Sequence, residues 1–212
     1  SEWASQLTDP RLRYSTVQQT TRTWAREDPV EAADWALSLN PPSPQADPAI
    51  SGLVGAIMNA HPYDYWKPGG SPQPWTTEVA ALLDRATQLA PDHPGAHHYR
   101  IHLYEASTTP EKALASADRI GALAPAVGHL VHMPSHIYLR VGRYHDAVLA
   151  NRAAVESDRE YLAAVNANPA YAADYVPHNI HFLWASALWT GESRVAMQAA
   201  EELARAAERL PQ

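Results

Sequence analysis

Eleven histidines and no cysteine occur in the 212 residues, and seven of the histidines fall at helical spacings. In the run GHLVHMPSHIYLR, His129, His132 and His136 stand three, four and seven residues apart. On one α-helix these steps rotate by roughly −60°, +40° and −20°, so the three imidazoles share a face. In HHYRIHLYE, His98, His102 and Glu105 follow a four-then-three spacing, and in PHNIHF His178 and His181 stand three apart. Imidazole binds zinc, copper, iron and nickel through nitrogen, and a helix presents two such donors together at i,i+3 or i,i+4. The set is rich in nitrogen and poor in carboxylate, unlike the oxygen cages of magnesium and calcium. Seven imidazoles and one carboxylate exceed the four ligands of a tetrahedral ion. That leaves room for two ions, or for one ion with further histidines in acid–base or substrate-binding roles. Affinity order and ligand type put copper first, with zinc or iron as alternatives.

A lone histidine on a helix is usually a packed or hydrogen-bonded residue. Many neutral imidazoles clustered in phase each need a partner for two ring nitrogens, and a metal supplies it; the alternative is a hydrogen-bonded groove without metal. The remaining histidines carry less. His61 and His93 precede Pro62 and Pro94 and read as loop residues, His97 is one residue off the His98/His102 stripe, and His145 falls on a solvent-facing helix. Asp174, four residues before His178, is a candidate acceptor for a ligand imidazole.

The elements that must position these residues are helices. The apolar fraction is 46%, largely Ala, Leu, Val and Ile, with a 3.6-residue periodicity. A helix is expected from about 11 to 26, and a second to about 39 with Asp28 as N-cap and Pro29 at its first position. The proline-rich segment 40–48 follows as a stiff connector, then a buried helix over 49–60. Residues 62–74 form a long aromatic loop, expected to pack as a wall or lid through Tyr63, Tyr65 and Trp66. The reading divides the chain into an N-terminal helical hairpin, 1–42, and a helical domain, 43–212.

A 34-residue period relates Pro91 to Pro125, Ala86 to Ile120, Ala113 to Ala147, His98 to His132, His102 to His136 and Tyr104 to Tyr138. With Gly142, Arg143, Tyr144, Ala147 and Ala154, this resembles the tetratricopeptide (TPR) repeat. The segment H-x2-H-M-P-S-H is similar to one found in a group of bacterial TPR-repeat proteins. Helix pairs are expected at 49–60/76–90, 94–107/110–124, 126–141/144–157 and 175–189/192–209. The last unit is offset by about 15 extra residues around 160–175, a second lid candidate. The resemblance implies an all-α fold, a right-handed solenoid of antiparallel helix pairs whose first helices line a concave groove. It also implies that His98, His102, Glu105, His129, His132, His136, His178 and His181 occupy the ligand-facing positions of three successive repeats.

The net charge of −7 argues against nucleic acid and anionic membrane surfaces. No apolar run approaches the ~20 residues of a bilayer span, and a cytoplasmic location is the expectation. A copper-dependent oxidase or oxygenase acting on a small molecule is the leading expectation, with Glu105 as catalytic base or ligand. A zinc hydrolase, a peptide-binding interaction module and a metal store or sensor are the alternatives. A peptide-clamping groove would carry Lys, Arg and Asn where this chain has histidine.

Overall fold

In the computed structural model, residues 8–28, 31, 32, 35, 46–165 and 169–208 are described. Among them the regular structure is helical, and the β content is one isolated bridge between Trp66 and Pro72. Two compact units divide the chain, Ser1–Thr108 and Thr109–Gln212. The first holds α1 (Pro10–Glu27), α2 (Ala46–Ala60), α3 (Pro74–Leu89) and α4 (Pro94–Glu105). The second holds a 3₁₀ turn (Pro110–Ala113), then α5 (Leu114–Leu123), α6 (Gly128–His132), α7 (Pro134–Val141), α8 (Tyr144–Ala164), α9 (Pro169–Thr190) and α10 (Ser193–Glu208). No described helix is long and apolar enough to cross a membrane.

In the first unit Asp9 caps α1, its carboxylate accepting from the Arg11 and Leu12 amides. Asp28 plays its expected capping role, accepting from the Glu31 amide at 2.9 Å. The rest of the expected second helix, most of the connector 40–48 and the boundary at 42/43 lie outside the described residues; Ala46 to Pro48 belong to the first turn of α2. α1 packs closely along α2 because Gly52 has no side chain: a Cβ there would stand 2.6 Å from the Gln18 carbonyl oxygen. Ile50, Leu53, Val54 and Ile57 of α2 meet Val79, Leu82 and Leu83 of α3 in the core. In the loop 61–73, expected to pack through Tyr63, Tyr65 and Trp66, the last two pack inward and Tyr63 is 66% exposed. Tyr65 is buried, the Trp66 indole donates to the Leu103 carbonyl at 2.7 Å, and the Thr76 hydroxyl donates to the Tyr65 carbonyl. The Leu103 carbonyl belongs to the last turn of α4, where helix geometry leaves acceptors unmet.

In the second unit α8 is the central rod, packing on α6, α7 and α9. Its buried residues are Ala147, Val148, Asn151, Ala154, Val155, Ser157 and Asp158, an apolar 3.6-period stripe with three polar members. Ile180, Leu183 and Ala187 of α9 and Ala196 and Ala199 of α10 complete that core. Gly142 (φ 82°) and Gly191 (φ 73°) make the left-handed turns that end α7 and α9. Pro134 lacks an amide hydrogen, so the helix through His129–Tyr138 breaks at Met133, where His136 N–H bonds the Met133 carbonyl instead of continuing the regular ladder. Within the segment 160–175, expected as an inserted lid, the described residues extend helices: α8 runs to Ala164 and α9 begins at Pro169. An insertion that keeps helical periodicity is absorbed most readily by lengthening a helix pair, because each added residue then keeps its backbone hydrogen bond.

Candidate metal centre

His132 closes α6, His136 lies in the first turn of α7, and His178 follows Pro177 inside α9. Their Nε2 atoms converge. His132 Nε2 lies 2.9 Å from His136 Nε2 and 3.0 Å from His178 Nε2. Donor nitrogens of all three lie within 4.8 Å of one another. His132 is fully buried, His136 is 8% exposed and His178 is half-buried. The Phe182 ring packs on all three imidazoles, with centroids at 4.7, 4.5 and 4.8 Å.

Hydrogen bonding fixes which His132 nitrogen faces the cluster. Asn151 Nδ2 donates to the Ala147 carbonyl at 2.8 Å, which turns Asn151 Oδ1 toward His132 Nδ1 at 2.9 Å. An amide oxygen only accepts, so His132 Nδ1 carries the proton and its Nε2 carries a lone pair. Ser135 Oγ, 3.3 Å from the same Nδ1, donates to the His132 carbonyl, and Ser186 supports the Asn151 amide at 3.4 Å. Burial, and next the neighbouring His136, push the His132 pKa well below its usual 6.5, against the Asn151 hydrogen bond that raises it. His132 is therefore neutral at pH 7, the form that ligates metal.

Three imidazoles bound at 2.0–2.1 Å to a tetrahedral ion place their nitrogens about 3.3 Å apart, so the two separations from His132 need only a few tenths of an ångström of expansion, while the third pair lies within 4.8 Å. Without an ion, two nitrogens this close require a shared proton, so the His136 and His178 Nε2–H groups would both donate to the one lone pair of His132. The donor set could thus hold a metal ion, and the Nδ1 bond to Asn151 is the kind of outer support that ligand imidazoles use.

The other sequence-predicted residues lie outside this triad. His129 lies beside the centre, its ring 5.8 Å from His132 and 4.9 Å from Tyr175. His181 is exposed and stacks on Trp184 at 5.5 Å, apart from the converging set. Asp174 is exposed. In the first unit His98 and His102 lie with ring centroids 4.7 Å apart, and His102 Nδ1 donates to Glu105 Oε1 at 2.7 Å. That bond occupies Glu105 in orienting His102, whose Nε2 is left as the donor atom. Tyr63 stands edge-on to His102 at 6.3 Å, with its phenol pKa raised by burial and by the Glu105 charge. His97 Nε2–H donates to the Pro91 carbonyl at 2.9 Å, and His93 Nδ1 accepts from the Ala96 amide to cap α4.

Sequence reasoning missed Asn151, Ser135, Phe182, Asp158 and Asn179. For Asn151 and Asp158 a signal existed: each is a polar residue on the otherwise apolar Ala147–Ala154 face of α8. No protein family, curated protein or solved structure matches the chain.

Proposed function

We propose that this chain is a TPR-like helical metalloprotein that holds a transition-metal ion on the Nε2 atoms of His132, His136 and His178. The observation that carries the reading is the convergence of those nitrogens around a His132 whose tautomer Asn151 fixes. Helices joined in order through the Gly142 and Gly191 turns, together with the 34-residue period, support the repeat assignment. Copper is the preferred ion, because an all-imidazole set without thiolate or neighbouring carboxylate suits it, and bound copper would supply one-electron chemistry toward O₂. The chain's own groups hold the ion, keep His132 neutral and, through Phe182, set an apolar wall against the ligands. The activity proposed is oxidation or oxygenation of a small molecule. Zinc hydrolysis is the second reading, favoured by the three-imidazole set with an open position. The test compares O₂ consumption by metal-free, zinc-loaded and copper-loaded protein with a panel of reductants and phenolic or amine substrates. Copper-dependent turnover abolished in His132→Ala supports the first reading. Zinc-dependent ester or amide cleavage with no O₂ uptake moves the assignment to the second, and inactivity of every form together with groove binding of a peptide overturns both.

A further inference from the structure

The polar stripe of α8 has a second member, two turns beyond Asn151. Asp158 is 1% exposed, yet its carboxylate meets no Lys or Arg in the bonds that hold it. Oδ2 accepts from Asn179 Nδ2 at 2.7 Å, and Oδ1 accepts from the Tyr171 hydroxyl at 2.6 Å; both donors are on α9. On its other side Asp158 presses on the start of α6, where a Cβ at Gly128 would stand 1.9 Å from Oδ1. One buried side chain therefore contacts the helix that carries His132 and the helix that carries His178. Asn179 is the residue next to His178, so the angular setting of α9 that satisfies Asp158 also sets the direction of the His178 ring.

We propose that Asp158, with Asn179 and Gly128, is a positioning node that holds His178 Nε2 at bonding distance from His132 Nε2. The proposal rests on the metal-centre reading above and deepens it. Asn151 and Asp158 divide the work along one face of α8: the first fixes the His132 ring, the second fixes the helix that brings His178 to it. Packing alone is a poor reason for these residues. Asn179 is fully buried and its Oδ1 has no hydrogen-bond partner among the described residues, a cost that packing alone does not explain.

Two variants of the full chain separate aim from stability and from charge. Asn179→Leu keeps the volume and removes the bond. Asp158→Asn removes the charge, while its amide can still accept from Tyr171 and donate to a turned Asn179 amide. Zinc affinity by chelator competition is expected to fall tenfold or more in Asn179→Leu and to stay within about threefold in Asp158→Asn, the scale seen when outer supports of metal ligands are removed. The thermal midpoint of metal-free Asn179→Leu is expected to fall by a few degrees, because the buried Asp158 Oδ2 loses its donor, so affinities are compared on folded protein well below that midpoint. If this variant does not fold, Asn179→Ala carries the same affinity expectation. In the metal-free protein, nitrogen–nitrogen coupling across the His178–His132 hydrogen bond should vanish in Asn179→Leu while the His136–His132 coupling persists. Wild-type affinity and both couplings in Asn179→Leu would overturn the node and leave the metal centre standing. A loss confined to Asp158→Asn would also overturn it, since charge rather than aim would then be at work. Absence of both metal binding and coupling in the unaltered chain would remove the centre itself.

Discussion

Replacing Asn151 by leucine tests the electronic part of the account. The change removes the acceptor 2.9 Å from His132 Nδ1 and the amide bonds to Ala147 and Ser186, at a position with no solvent exposure. His132 then keeps only Ser135 Oγ, at 3.3 Å, as an Nδ1 acceptor. A buried donor left short of its partner costs about 1–3 kcal/mol, with the Ser135 hydroxyl holding the loss toward the lower end. At about 2–4 °C per kcal/mol for a chain of this size, the metal-free midpoint should drop by a few degrees. Loss of the tautomer and of ring orientation should weaken metal binding by about 10–100-fold. Asn151→Asp should act in the opposite sense on affinity, because a carboxylate on Nδ1 raises the basicity of the ligating Nε2. Chelator-competition titrations of the three proteins at pH 7.5 read this directly. Equal affinities in all three would refute the argument that Asn151 sets the state of His132.

Gly128→Ala should destabilise the protein by about 3 kcal/mol, the upper end of overpacking costs, since its Cβ meets a buried carboxylate at 1.9 Å. Gly142→Ala, at φ 82° with open space around it, should cost only about 1 kcal/mol by denaturant unfolding, and a reversed order would count against the tight α6–α8 approach. Metal-free protein should lose stability on acidification. The folded His132 pKa lies below the unfolded value of about 6.5, so between the two the unfolded chain binds more protons and stability rises with pH. The slope in that window should reach about 1.4 kcal/mol per pH unit and flatten in His132→Ala, as read by denaturant midpoints from pH 7.5 downward. Glu105→Ala should weaken metal capture by the His98/His102 pair about tenfold while Glu105→Gln, which keeps an acceptor oxygen for His102 Nδ1, changes it less. Equal capture in both variants would show that the bond does not orient His102.

The helices were legible because each was written locally: apolar residues at i, i+3 and i+4, prolines at their starts, and glycines at the Gly142 and Gly191 turns. The coincidence of His132 and His136 on one face followed from a four-residue step. That His178 joins them, whereas His181 three residues later stacks on Trp184, depends on how α9 is rotated against α8. Periodicity gives the face of a helix but not its rotation against a neighbour. The same limit hid Asn151 and Asp158. Both break the apolar pattern of α8, but a polar residue on a buried face announces only that it needs a partner. The helical conformation of the described residues in 160–175 was hidden for a simpler reason: an offset in repeat spacing gives the length of an insertion and not its conformation.

The most direct test of the central claim is X-ray absorption on the copper-loaded full chain, which counts imidazole nitrogens around the ion, set beside metal analysis of His132→Ala/His136→Ala. The account expects tight retention of copper by the unaltered chain, about three imidazole nitrogens near 2.0 Å, and loss of that ion in the double variant. Copper held chiefly by oxygen, or undiminished in the double variant, would contradict it.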